Sequence, residues 1–217
     1  KRYLDFLRAW LKDKEYVALA YMTGILPIKK YGSHSALNMF SEYSMTNPRE
    51  MAEFFGFTEE EVKDLCKQYD MDFDSMKAWY NGYLIDGLHM YNPNSVSIAM
   101  DRHRFDSYWK NTSSFASINT FITMNYDGLK DDIMTMLSDG RVYVNTDTFQ
   151  NDFVSISSKD EALTALIHLG YLGYDADRKK SFIPNYEVAT AFELALQTGS
   201  WSFSWISGKD SLSWNQL

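Results

Sequence analysis

No stretch of this 217-residue chain approaches the roughly 18 consecutive apolar residues needed to cross a bilayer. Its first residues lack the basic, apolar and small-residue succession of a secretory signal. Neither membrane insertion nor export is expected. Cysteine is nearly absent: Cys66 cannot close an internal disulfide, and it stands among Val62, Leu65 and Tyr69 on a predicted helix, as a small buried apolar residue would in a reducing cytoplasm. Positive charge is also short, with 21 Lys and Arg against 29 Asp and Glu. The net charge of -8 opposes nonspecific attachment to a phosphate backbone or an anionic lipid surface.

The usual catalytic signatures are missing too. A phosphate-binding loop needs successive glycines whose N–H groups surround phosphate oxygens, followed by a lysine and a hydroxyl. The one Gly-Lys pair, Gly208-Lys209, is followed by Asp210, and Phe203 stands where the first glycine belongs. No apolar strand ends in the adjacent acids that would complete a nucleotide-hydrolysing site. His34, His89, His103 and His168 share no ligand spacing with one another or with Cys66, and a Gly-x-Ser-x-Gly turn is absent. Two acid-x-Lys matches, Glu61 with Lys63 and Asp177 with Lys179, lack the upstream strand-borne acid of a nuclease site. Glu61 and Lys63 also fall on different faces of a helix. The chain taken alone reads as a non-catalytic module, without metal or cofactor.

What is present is a chain of ordinary globular composition, 45% hydrophobic, long enough for one large domain or two small ones. Its expected class is mainly α with short strands, α+β. It opens already in helical periodicity, with Leu4, Leu7, Trp10 and Leu11 on one face as far as about Lys14, and stops at Leu217 without linker-like composition. A longer parent is expected. Val17 to Met22 is apolar and ends at Thr23-Gly24, which predicts a short buried strand presenting a threonine hydroxyl before a permissive glycine; continued helix is the competing reading. Residues 31 to 44 read as an irregular loop.

Helix starts follow at Asn47-Pro48-Arg49-Glu50, at the capping box Thr58 to Glu61, around Ser75, and at Asn92-Pro93. Further helices are predicted over about 114 to 124 and 129 to 137. From Arg141 the character changes: Val142-Tyr143-Val144 alternates like a strand and Ser158 to Glu161 is a second capping box. Two strand-like runs, 171 to 177 and 181 to 183, flank a polar turn, and Asn185 caps a last helix. Helix, two-stranded wing and helix outline a winged-helix unit. Residues 141 to 217 carry six Lys or Arg against nine Asp or Glu, a net charge of -3, which favours packing over direct nucleic-acid binding.

Three aromatic-polar clusters stand out: Trp79-Tyr80-Asn81-Gly82-Tyr83, Tyr91-Asn92-Pro93, and Tyr108-Trp109-Lys110-Asn111-Thr112-Ser113. They fit either a packed aromatic core with capping residues or a ligand or interdomain face. Read in order with Met22-Thr23-Gly24-Ile25-Leu26-Pro27-Ile28, Ser35-Ala36-Leu37-Asn38, Phe55 to Val62, Leu163 to Tyr174 and Ile183-Pro184-Asn185, they resemble a family of bacterial AAA-ATPase-like proteins. That family commonly carries a C-terminal PD-(D/E)XK nuclease-like domain.

The resemblance implies that residues 1–140 are the end of an ATPase-like core and its helical lid, and that residues 141–217 are a winged-helix-like module leading to the nuclease-like domain. Both Walker motifs would lie in an N-terminal nucleotide-binding half preceding Lys1. ATP and Mg are thus implied for the parent, and its partners would be the two flanking parts of the same chain. Thr23, with Gly24, takes a position similar to a γ-phosphate sensor. Asn38, Trp79, Tyr80, Tyr83, Tyr91, Asn92, Trp109 and Thr112 are the candidates for a ligand or interdomain face. The family commonly has aspartate where Asn81 stands. The alternative is a degenerate ATPase fold that binds a protein or domain without turnover.

Overall fold

The fold begins with local signals that mostly act as the sequence predicts. In the structure, a computed structural model, residues 2–24, 26, 30–31, 34–35, 39–109, 124–151 and 156–198 are described. The predicted helix over 114 to 124 and the Gly208-Lys209 turn therefore lie outside the described residues, Met124 excepted. The chain is α+β. Helix α1 (Arg2–Leu11) buries only Leu7 of its expected apolar face, while Trp10 remains 52% exposed and stacks on Phe6 at 5.8 Å.

The predicted buried strand at Val17 to Met22 is not formed. Leu19 and Tyr21 are 86% and 83% exposed, and residues 17 to 24 have no strand alongside them among the described residues. A strand needs a neighbour to satisfy its N–H and C=O groups, and apolar content alone cannot supply one. Strands β1 (Lys30–Tyr31) and β2 (His34–Ser35) make a two-residue antiparallel pair within the segment expected to be irregular.

The Asn47-Pro48 start gives a 3-10 helix (Arg49–Phe54) and not an α-helix. Asn47 is instead drawn into a bridge with Ser44, so its side chain caps nothing there.

Strand β3 (Phe57–Thr58) leads into α2 (Glu59–Tyr69). Thr58 Oγ1 accepts from the Glu61 amide at 3.3 Å, and the Glu61 carboxylate accepts from the Thr58 amide at 2.8 Å, so the capping box is complete. Asp72 caps α3 (Phe73–Tyr80) by accepting from Ser75 N at 2.7 Å. A hairpin that the helical reading overlooked follows, β4 (Tyr83–Ile85) and β5 (Leu88–Tyr91), turning on Asp86 and Gly87, both at positive φ. Asn92 then caps α4 (Pro93–Arg102) through Asn94 N and Ser95 N. The sheet order is β3-β5-β4, antiparallel throughout. Val62, Cys66, Met76, Tyr80, Tyr91, Val96, Ala99, Met100 and Tyr108 form the core of this first unit.

The second unit runs α5 (Leu129–Leu137), β6 (Val142–Tyr143), α6 (Lys159–His168), β7 (Gly173–Asp175), β8 (Lys180–Phe182) and α7 (Tyr186–Thr198), with its sheet in the order β6-β8-β7. Leu129, Ile133 and Met136 of α5 belong to this unit's core, so packing joins α5 to the elements after residue 140. Ser158 caps α6 by accepting from Glu161 N, but the Glu161 carboxylate turns to Ser157 N instead of completing a box. Six consecutive residues of α6, Ala162 to Ile167, are buried, so this helix has packed neighbours on every side. Asn185 Oδ1 accepts from Val188 N and caps α7. Strand β4 lies beside β7, and α3 beside α7, which brings the two units edge to edge. No helix among the described residues is long and apolar enough to cross a membrane.

Candidate functional site

The aromatic-polar clusters converge on the joint between the two units. Tyr80, at the end of α3, donates to the Asp106 carbonyl at 2.9 Å and accepts from the Asp106 amide at 3.1 Å, pinning the segment after α4. Its ring packs on Tyr108 and Phe105, and burial pushes its phenol well above the ordinary tyrosine value. Trp79 on the same helix reaches across to Tyr186 of α7, with ring centroids 5.8 Å apart. Two aromatic neighbours in sequence thus serve opposite sides of the joint.

The backbone then crosses. The Asn81 carbonyl accepts from Asn185 Nδ2 at 2.8 Å, and Gly82 at φ +106 lies so close to Pro184 that an added Cβ would stand 1.9 Å from the Pro184 carbonyl oxygen. Tyr83 donates to the Gly170 carbonyl at 2.8 Å, and burial raises its phenol, the carboxyl of Glu187 adding to the effect. Trp109 meets Tyr171 edge-on with centroids 4.5 Å apart.

At the centre is Glu187, fully buried in the first turn of α7. One carboxyl oxygen, Oε1, accepts from the Tyr108 amide at 2.7 Å and the Trp109 amide at 3.1 Å, and the Ser107 hydroxyl reaches the Glu187 carbonyl at 3.5 Å. The residues before the undescribed segment 110–123 are thereby fastened to a helix some 80 residues away. Burial raises the carboxyl above the ordinary glutamate value, against the lowering influence of Ser95 and the two amides.

Of the candidates, Trp79, Tyr80, Tyr83 and Trp109 therefore meet at this seam. Tyr91 lies in the first core, and Asn92 caps α4. Thr23 and Gly24 are exposed and far from the seam in role, since no strand ends there. Asn38 and Thr112 lie outside the described residues. Sequence reasoning missed Glu187 and Ser95 altogether and saw Asn185 only as a cap. An acid in the first turn of a helix passes as dipole complementation, and only the apolar Val188, Ala189, Ala191 and Phe192 around Glu187 hint that it is buried.

An open groove of about 380 Å³ runs along the joint on the hairpin side, past Leu84, His89 and Phe182. Arg141 stacks over Phe182 at 4.5 Å and pairs with Asp175 at 3.1 Å; Asp175 also accepts from the Arg178 amide. Two arginines face two aspartates there, so the groove offers no net charge to an anion. Among the described residues, no three His, Cys, Asp or Glu side chains converge as metal ligands.

No family model matches the chain, and no solved structure does. A protein of Azotobacter chroococcum mcd 1, described as "Uncharacterized protein in vnfD 5'region", is 28% identical over 107 residues. Those residues are 48% of this chain and 20% of that protein. The chain thus matches about a fifth of the length of this relative.

Proposed function

We propose that the chain is the non-catalytic sensor, lid and winged-helix region of a longer ATP-dependent regulator of a nuclease-like domain, working as a rigid coupler between the flanking parts. The observation that carries this reading is the seam. Residues that could have lined a ligand site are spent on joining two small units, through Asn81 to Asn185, Tyr83 to Gly170 and Glu187 to Tyr108 and Trp109. A lid that passes a displacement onward must move with the module attached to it.

Further support comes from the first 24 residues. The Tyr3, Phe6 and Trp10 stripe of α1, with Leu19 and Tyr21 beyond it, is an apolar surface that a preceding nucleotide-binding half would cover by sheet and helix packing. The order α5, β6, α6, then the β7–β8 hairpin supports the winged-helix reading. In such units, the helix before the wing enters a DNA groove. Here that helix, α6, is enclosed, and with the negative charge of this half it favours a packing role over DNA reading.

The described residues do not by themselves fit a nucleotide site. Thr23 is exposed, and the chain has no glycine-rich cradle, so ATP and Mg would be held by the preceding half. The test is made on the parent. Thr23→Val should keep ATP affinity while lowering turnover by about tenfold to a thousandfold, as loss of a hydrogen bond made near the transition state does. Unchanged turnover in a normally folded variant would reject the sensor role, and a parent lacking ATP binding would favour the degenerate, domain-binding alternative.

A further inference from the structure

Glu187 holds the joint by one oxygen only. Oε2 has no hydrogen-bond partner, and neither has the hydroxyl of Ser95 on α4, which is equally buried and close enough to act on the carboxyl. Two unsatisfied polar atoms side by side in a water-free seam are costly unless a proton lies between them. We propose that Glu187 is a proton-linked latch. As a neutral acid it keeps both amide bonds through Oε1 and donates from Oε2 to Ser95 Oγ, tying α7 to two separate elements of the first unit; ionisation weakens the tie.

The surroundings favour the neutral form. From the segment after α4, the Asp106 carboxylate raises the affinity of Glu187 for its proton, and Asp106 is itself paired with Arg104 at 3.3 Å. Tyr80 of α3, Tyr83 of β4 and Tyr108 face the same region as neutral phenols, and burial opposes their ionisation. Burial is also the largest influence on Glu187, outweighing Ser95 and the amides of Tyr108 and Trp109. A carboxyl raised in the folded state contributes stability that is fully present below the ordinary glutamate value, falls as pH rises through the folded value, and is level above it. The inference does not depend on ATPase activity in the parent.

The test uses the whole chain. Hydrogen exchange at the Tyr108 and Trp109 amides is followed from pH 4 to 8 in the wild type, Glu187→Gln and Ser95→Ala, alongside the carbon-13 shift of the Glu187 carboxyl. Protection factors of the two amides in the wild type should fall by up to about tenfold per pH unit between the ordinary glutamate value and the folded midpoint. Glu187→Gln, which mimics the neutral acid, should remove that slope, and Ser95→Ala should lower protection on the acid side. A carboxyl titrating at or below the ordinary glutamate value would overturn the proposal, and decides the matter alone if the glutamine variant does not fold. Parallel pH profiles for the wild type and Glu187→Gln, or a Ser95→Ala variant with unchanged protection, would also overturn it.

Discussion

Replacing Gly82 with alanine should damage the seam far more than its single methyl suggests. The new Cβ would stand 1.9 Å from the Pro184 carbonyl oxygen and 2.7 Å from its carbon, both backbone atoms that no rotamer change can move. At φ +106 a side chain adds backbone strain on the order of 1–3 kcal/mol. Displacing residue 184 also pulls Asn185 from the buried Asn81 carbonyl, and an unsatisfied buried acceptor costs about 1–3 kcal/mol. Together these give about 3–5 kcal/mol, a large share of a typical domain stability of about 5–15 kcal/mol. In urea, with slopes of about 1–3 kcal/mol per molar, the midpoint should fall by about 1–3 M.

Gly87→Ala is the control. It too has positive φ, +78, but nothing lies within 4 Å of the added methyl, so only about 1–2 kcal/mol of backbone strain is expected. Tryptophan fluorescence is a suitable probe, because Trp79 and Trp109 both contact the opposite unit. Equal losses for the two variants would refute the argument, since they would show that the Pro184 contact contributes nothing.

Two further expectations are simpler. Thr58→Ala removes the cap and leaves Glu61 without its reciprocal partner, and should cost about 0.5–2 kcal/mol by chemical denaturation, with Thr58→Ser restoring most of it. The Lys63 hydrogen bond at 2.6 Å, then Lys77, hold Glu59 below its ordinary value despite some burial, so its contribution is present at neutral pH and is lost as pH falls through the folded value. Glu59→Gln should accordingly flatten the acid side of the stability profile, as read from thermal midpoints between pH 3 and 7.

The helix starts were legible because capping is written within four residues. Thr58 with Glu61, Asn92 with Pro93, Ser158 with Glu161 and Asn185 each place a side-chain acceptor before an apolar period. The β7–β8 hairpin was legible for the same reason, its polar turn lying between two apolar runs. Asp86-Gly87 carries an equally good hairpin signal, but its strands are only three and four residues long and were masked by the helical patterns on either side. Val17 to Met22 shows the converse failure: its composition suits a strand, while strand formation depends on a partner that local sequence cannot name.

The seam was only half visible. Aromatic and asparagine clusters marked its first side, yet Glu187 meets Tyr108 across 79 positions and Asn81 meets Asn185 across 104, separations at which no local pattern operates.

The account rests most heavily on the two units moving and unfolding as one body. Residue-resolved hydrogen exchange in the wild type and in Tyr83→Phe, which deletes the donor to the Gly170 carbonyl, measures this directly. The slowest amides of α2 to α4 and of α6 to α7 should share one opening free energy, and both sets should lose the same about 1–2 kcal/mol in the variant. Two distinct opening free energies, with Tyr83→Phe lowering only the first unit's, would contradict the coupler.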